Sequence, residues 1–318
     1  MNLPNKEKNI AIFGAAGHIA KNLIHQFLNN TEHKLFLFST NRSNLQSFVS
    51  SISNDNSITN DNRILYTSYE NLHSQSFDII INCIGISNPS DIIKHGNKIL
   101  TLSKKYDDLI IEYLKKNIFC KYFNFSSGIV HGNFLQPVGE KLLSNSFSNH
   151  FLHNEYYLTK IYLEKKHRLL PLLNIIDIRI FSFFSKFINL NTDFFITKII
   201  KSINNNEEFF TTREIFFRDF IHPKDLFQLI YSCMKNPKLN FAIDAYSRSP
   251  ISKYDILEEF SNHYNLKYSF KDNLKINEST EFKKYYYSLS RKAKTIGYAP
   301  IYSSLETLLD ESASLIKS

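Results

Sequence analysis

The stretch Ile10-Ala11-Ile12-Phe13-Gly14-Ala15-Ala16-Gly17-His18-Ile19-Ala20 constrains the fold more than any other. A short apolar run ending in glycine reads as a buried strand, and the residues from Ile19 to Leu28 follow with helical periodicity. The chain has only 8 glycines in 318 residues, yet two fall within these few positions. Bare backbone between a strand and a helix lets the turn run close to a pyrophosphate, whose charge is met by backbone N–H groups and the helix N-terminus. Ala20 stands where a third small residue would let the helix pack closely on the sheet. An ordinary tight strand-to-helix connection uses the same residues, so the rest of the chain has to decide.

Further strands are expected at Lys34 to Phe38, Arg63 to Tyr66, Phe77 to Ile84, Tyr122 to Phe125 and Ile175 to Ile180. Helical patterns lie at Asp107 to Lys116 and Asn154 to His167. Strands separated by helices pair in parallel, which predicts an α/β, doubly wound parallel sheet. From about Phe181 the pattern loosens, and helical periodicity returns at Lys224 to Met234 and Ile251 to His263. The expected organisation is a dinucleotide-binding domain over 1–180 and a smaller C-terminal substrate-binding lobe over 181–318, with the part around 217–246 returning to the first domain. No fixed-period repeat is present.

The formal charge of +8 raises nucleic acid as a partner, but the lysines are scattered and form no block of like charge. Nucleic acid is therefore not expected. Three cysteines far apart, with no CxxC pair, fit a reducing compartment. No apolar segment near the start and no long apolar run imply a cytoplasmic protein without a membrane partner. No set of His, Cys and acidic residues has metal-ligand spacing, so no metal is expected.

The second strand bears on the cofactor. A carboxylate about 20 residues past the glycines holds the ribose of NAD, whereas an arginine accommodates the extra phosphate of NADP. Here "LFLFSTNRSNL" places Ser39 and Thr40 at the tip and Arg42 just beyond, with no Asp or Glu between Glu32 and Asp55. That favours NADP, with NAD as the other choice; as an ordinary solvated loop residue, Arg42 would carry no such meaning.

Tyr156 and Lys160 lie four apart on a predicted helix and project from one face. A tyrosine beside a fixed ammonium has its pKa lowered from about 10 and can exchange a proton with a substrate hydroxyl or carbonyl. Tyr162 with Lys166 and Tyr231 with Lys235 share the spacing, so it does not select a site alone.

The chain resembles the extended short-chain dehydrogenase/reductases of the nucleotide-sugar epimerase, dehydratase and reductase group. The resemblance rests on the Gly14, Gly17, Ala20 turn and on "NFSSGIVHG", with Ser127 at the catalytic hydroxyl position and His131 where tyrosine is usual. Pro137 with Glu140 matches P-x-x-E, and Tyr156, Lys160 and Glu164 match Y-x-x-x-K-x-x-x-E. Arg218 to Leu226, "RDFIHPKDL", is similar to the family's R-D-[FY]-[IV]-H-V-x-D signature, with Pro223 in place of valine.

The resemblance implies a Rossmann-type fold in which Ser127 hydrogen-bonds the reacting oxygen and Tyr156 is the general acid/base. Lys160 would hold the nicotinamide ribose, and Arg218 would face the nucleotide diphosphate. The implied cofactor set is Gly14, Ala16, Gly17, His18, Ile19, Ser39, Arg42, Gly85, Tyr156 and Lys160; the implied substrate set is Ser127, Ser182 and Arg218. A homodimer through the helices around Asp107 to Lys116 and Asn154 to His167 is implied as well. His131 and His222 are expected to be structural.

Departures from the family narrow the reaction. Dehydratases of the group carry an Asp-Glu pair where Gly128 and Ile129 stand, and double epimerases carry a cysteine at the Ile129 position. Ser182 replaces the usual asparagine near the substrate phosphates, and Lys283 and Lys284 are candidates for a missing substrate-binding arginine. The leading expectation is NADPH-dependent reduction of a 4-keto nucleotide-sugar for a surface polysaccharide. The alternative is a nucleotide-sugar 4-epimerase with tightly bound NAD, and a non-catalytic dinucleotide-binding sensor is the third.

Overall fold

The computed structural model describes residues 7–54, 62–86, 88–132, 134–139, 154–272 and 283–317. The pair Pro137 and Glu140 is therefore only half visible, because Glu140 lies outside the described residues.

The first strand, β1 (Asn9–Phe13), alternates its apolar side chains between the two faces of a sheet that is covered on both sides. It is followed by α1 (His18–Asn30), β2 (Lys34–Phe38), α2 (Arg42–Asn54), β3 (Ile64–Thr67), β4 (Ile79–Asn82) and α3 (Pro89–Lys116). β5 (Lys121–Ser127), α4 (Glu155–Arg168) and β6 (Asn174–Ile180) continue the alternation. After an excursion the chain returns through α6 (Pro223–Lys235) and β11 (Phe241–Asp244), which adds itself beside β6. The central sheet has seven parallel strands in the order β11-β6-β5-β4-β1-β2-β3. The order reverses between β1 and β4, which opens a crevice beyond their C-terminal ends, and in such sheets ligands bind there.

Two apolar layers clamp this sheet. Ile10, Ile12, Leu23, Phe27, Ile81 and Phe123 pack with Leu226 and Leu229 on one face. Ala11, Phe13, Ile80, Ile110, Leu114 and Tyr122 pack on the other. Burial on this scale, at about 25 cal/mol per Å² of apolar surface, holds helices whose intrinsic propensity is low. α2 is the plainest example: "RSNLQSFVSSISN" is rich in Ser and Asn, yet Leu45, Phe48, Val49 and Ile52 recur on one face and are buried. Arg42 is accordingly the first residue of a helix rather than part of a loop. The helix expected at 107–116 is the end of α3, whose earlier turns contain Gly96 and a non-helical break at His95.

The excursion builds the second lobe. It contains β7 (Ser182–Phe183), α5 (Phe195–Asn204), β8 (Phe209–Thr211), β9 (Phe217–Arg218) and β10 (Phe220–Ile221). After β11 come β12 (Ile251–Ser252), α7 (Lys253–Tyr264), β13 (Tyr268–Phe270), β14 (Tyr285–Tyr286) and α8 (Ser304–Ser312). Phe184, Ile199, Ile200, Ile256, Leu257 and Phe260 form its own core. A fourth apolar cluster, of Ile129, Phe134, Val138, Tyr157, Phe181 and Tyr286, joins the lobe to the end of β5.

Candidate active site

The glycine turn lies at the C-terminal end of β1. Gly14 has φ +68°, and a Cβ there would lie 3.1 Å from backbone atoms of Cys83 and Ile84 in the neighbouring turn after β4. Gly17 is the N-cap of α1, and a Cβ on it would meet the Gly14 carbonyl at 3.1 Å. The bare backbone is thus demanded by the turn itself, and the N–H groups of the first helical turn are left to face the crevice. This cradle, with Ala16 and Ile19 partly exposed beside it, fits a dinucleotide pyrophosphate. The His18 ring turns away: its Nε2 lies 2.7 Å from Ser185 Oγ and it packs on Phe183. Burial first, and then Lys21, lower its pKa to about 4, so it is a neutral link between α1 and the second lobe.

At the tip of β2, Ser39 Oγ accepts from Asn41 N. Arg42 is exposed, its guanidinium 5.6 Å from the centre of the Tyr66 ring. Tyr69, which sequence reasoning missed, accepts a hydrogen bond from Gly14 N and donates to Phe38 O, so one phenol braces the ends of β1 and β2.

Ser127 ends β5 and caps the short turn that follows, its Oγ accepting from Ile129 N at 3.3 Å. Tyr156 and Lys160 sit on α4, whose start is capped by Asn154 Oδ1 accepting from Tyr157 N. The Tyr156 phenol faces Ser127; burial raises its pKa and the nearby serine opposes that. Lys160 Nζ donates to Phe125 O at 2.7 Å, lies 5.5 Å from the centre of the Tyr156 ring, and faces Gly85 across 3.9 Å to where a Cβ would be. Burial lowers its pKa to about 8 against the pull of Asp177 and Glu164, so it remains mostly cationic at pH 7. Ser127, Tyr156, Lys160 and Gly85 are therefore brought together.

The frame behind them is ionic. Glu164 accepts from Ser126 Oγ and from Arg179 Nε and Nη2, while Asp244 accepts from His131, Arg179 and Ser288. Burial alone would raise the Asp244 pKa, but His131 first, then Arg179 and Ser288, hold it down at about 2. His131 thus ties the turn after β5 to β11.

Arg218, on β9, donates to Phe217 O and Lys283 O and stacks 4.3 Å from the centre of the Phe216 ring. Burial lowers its pKa to about 10. Lys283 is also lowered to about 8, by burial and then by Arg218. No ion pair joins either cation to a carboxylate among the described residues. Two adjacent cations with no counter-ion among the described residues suit an anion such as a diphosphate. Lys284, by contrast, is exposed over Tyr285. Ser182 is half-buried in β7, paired with Phe220 close to the Arg218 strand.

Among the described residues, the turn after Ser127 that floors the site carries no acid. A Cβ on Gly128 would lie 2.4 Å from the Phe181 ring, and Ile129 is buried in apolar surroundings. There is no room for the acidic residue that elimination of water would use at position 128. Away from this site, His222 lies near Asp310 and Glu311. Its Nδ1 accepts from Lys224 N, which leaves the proton on Nε2, 3.0 Å from Asp310 Oδ2. A ring in that tautomer donates rather than ligates, so His222 caps α6 and ties it to α8.

A parallel sheet with a glycine turn at its switch point and a Ser, Tyr, Lys set on the adjoining strand and helix mark an enzyme of the extended short-chain dehydrogenase/reductase type. The profile of the NAD dependent epimerase/dehydratase family matches residues 10–247, and the chain belongs to that family. No curated protein sequence matches it.

Among solved structures it is similar to UDP-glucuronic acid 4-epimerase from Bacillus cereus, in complex with UDP-glucuronic acid and NAD, at 18% identity and TM-score 0.78. That match covers 96% of this chain and 98% of the other. It is also similar to the Helicobacter pylori ADP-L-glycero-D-manno-heptose-6-epimerase, at 16% identity and TM-score 0.78, covering 98% of each chain. A third is UDP-glucose-4-epimerase from Stenotrophomonas maltophila with bound NAD, at 13% identity and TM-score 0.80, covering 97% of this chain and 98% of the other. At these identities the likeness is one of fold.

Proposed function

We propose that this chain is a nucleotide-sugar 4-epimerase that oxidises one sugar carbon and reduces it again from the opposite face. The observation that carries the reading is the Ser127, Tyr156, Lys160 set beside the cations Arg218 and Lys283, which have no carboxylate partner among the described residues. Ser127 would donate to the reacting oxygen, Tyr156 would take and return its proton, and Lys160 would favour the phenolate electrostatically. The glycine turn, Gly85 and Lys160 would hold a nicotinamide dinucleotide, which supplies the hydride chemistry when bound. Arg218 and Lys283 would grip the diphosphate, leaving the sugar at the hydroxyl cluster.

The sequence places reduction of a 4-keto sugar first. Epimerisation takes precedence because the neighbours in fold are epimerases whose structures contain NAD, and both reactions use the same residues at a single carbon. The observation favouring the reductase is the β2 tip, where Arg42 is free in solvent and no carboxylate stands between Glu32 and Asp55 to hold the ribose of NAD. The expected homodimer would use α3 and α4, on which Ile93, Leu158 and Tyr162 are exposed. No helix among the described residues is long and apolar enough to cross a membrane.

The test is to purify the protein, identify any dinucleotide that remains bound, and follow a panel of UDP-, GDP-, CDP- and dTDP-sugars by NMR. Inversion at one carbon with no net change in cofactor supports the epimerase. Stoichiometric NADPH consumption with a keto-sugar supports the reductase instead, and neither with any sugar overturns both.

A further inference from the structure

Three hydroxyl groups meet at the end of β5. Ser127 Oγ lies 3.0 Å from the Tyr286 phenol oxygen, and the Tyr156 phenol faces the same serine. The Ile129 N–H donates to Ser127 Oγ at 3.3 Å. An amide N–H can only donate, and a phenol has one proton to give. Either oxygen of the Ser127–Tyr286 pair can donate, and when the phenol is the donor the serine keeps its own proton. With the serine oxygen occupied as an acceptor, the serine proton is directed to the remaining side, toward Tyr156 and the space where a reacting oxygen would sit.

Tyr286 reaches this point from the second lobe. It lies on β14, paired with β9, and the register sets Tyr286 beside Arg218. Its ring stands edge-on to Phe134 at 4.9 Å and to Phe181 at 5.2 Å, with Lys283 Nζ 5.0 Å and the Arg218 guanidinium 5.7 Å from its centre. Burial pushes its ionisation well above the usual tyrosine range, so it remains a donor wherever the protein is folded. The cations suited to the substrate's diphosphate and the phenol that orders the catalytic serine are thus carried on one pair of strands.

We propose that Tyr286 is a positioning residue: its phenol fixes the Ser127 hydroxyl so that the serine donates toward Tyr156 and the reacting oxygen, which couples anion binding by the second lobe to the geometry of proton transfer. This rests on the function proposed above. A donor lost from direct contact with transition-state charge costs ~10²–10³ in rate; acting through Ser127, Tyr286 is worth less.

Tyr286→Phe removes only the hydroxyl and keeps the ring contacts. With the nucleotide-sugar that the wild type converts, the expected result is a kcat about tenfold lower with KM little changed. The rising limb of the pH–rate profile should move to higher pH, because Ser127 then stabilises the Tyr156 phenolate less. In a Ser127→Ala background the same change should have no further effect. A wild-type rate and pH profile in Tyr286→Phe, or an undiminished effect in the Ser127→Ala background, would overturn the proposal.

If the wild type converts no nucleotide-sugar, the function reading fails, and the role of Tyr286 is read by ultraviolet titration of the tyrosines. The ionisation step lost in Tyr156→Phe should move upward in Ser127→Ala and, by less, in Tyr286→Phe; no shift in Tyr286→Phe, or a further shift from Tyr286→Phe in the Ser127→Ala background, refutes the positioning role. Should Tyr286→Phe not fold, Tyr286→Met serves in both measurements.

Discussion

His167, near the end of the helix that carries Tyr156 and Lys160, is a buried cation, and its removal should both weaken the fold and delete one contribution to its pH dependence. Nδ1 lies 2.8 Å from Asp177 Oδ1 and Nε2 lies 2.8 Å from Asp107 Oδ1. Both nitrogens face carboxylates, so both donate and the ring is protonated. Burial alone would lower its pKa; the charge of Asp177 first, then the hydrogen bonds to Asp107 and Asp177, outweigh that and raise it from 6.5 to about 9. The folded state therefore holds this proton more tightly than the unfolded chain. The stabilisation is complete below pH 6.5 and is lost as the pH rises through 9. At ~1.4 kcal/mol per pH unit the gap is worth about 3 kcal/mol at low pH, of which about 2 kcal/mol disappears between pH 7 and pH 9. Because the side chain is fully buried, solvent screening removes little of this.

His167→Gln keeps most of the volume but leaves Asp107 and Asp177 short of a cation, with Lys166 and Arg168 as their remaining partners. The expected loss is about 3–5 kcal/mol near neutral pH. Urea unfolding of wild type and variant at pH 6, 7, 8 and 9 measures both effects. The same change in stability between pH 7 and pH 9 in wild type and variant would refute the protonated imidazole, because the buried lysines that become more favourable over that range do so equally in both.

Other perturbations follow from the site. Gly14→Ala forces a side chain into φ +68° and against Cys83 and Ile84, at ~1–2 kcal/mol for the backbone alone, so the melting temperature and dinucleotide affinity should both fall. Tyr156→Phe should lower kcat by ~10²–10⁴ while fluorescence titration shows cofactor binding unchanged. Arg218→Ala should raise KM for the nucleotide-sugar by about tenfold or more with kcat less affected, and should weaken the salt dependence of binding, read from initial rates across a salt series.

Much of the dinucleotide-binding half was legible because its signals are local. The strands at 9–13 and 34–38 stand where the apolar runs place them. α2 was missed although Leu45, Phe48, Val49 and Ile52 already spell a buried face, because the Ser and Asn between them lower its helix propensity. Most of α3 was missed because Gly96 and the break at His95 interrupt its period. The residues Ser127, Tyr156 and Lys160 could be picked from three similar spacings only through the family resemblance, since a spacing of four on a helix is common.

What the sequence determined by itself is the alternation of strand and helix, the glycine turn and the residue types available for hydride chemistry, all of which follow from periodicity and from single-residue chemistry. Only the tertiary structure decided that Lys283 rather than Lys284 stands beside Arg218, and that Phe181 covers Gly128 and closes the place of an acid. It likewise decided that Tyr286, 159 residues away in the chain, stands within hydrogen-bond distance of Ser127. These pairings depend on how the second lobe closes over the end of β5. Burial then sets which hydroxyls must find partners and which charges persist, and neither is written in the spacing of residues along one helix or strand.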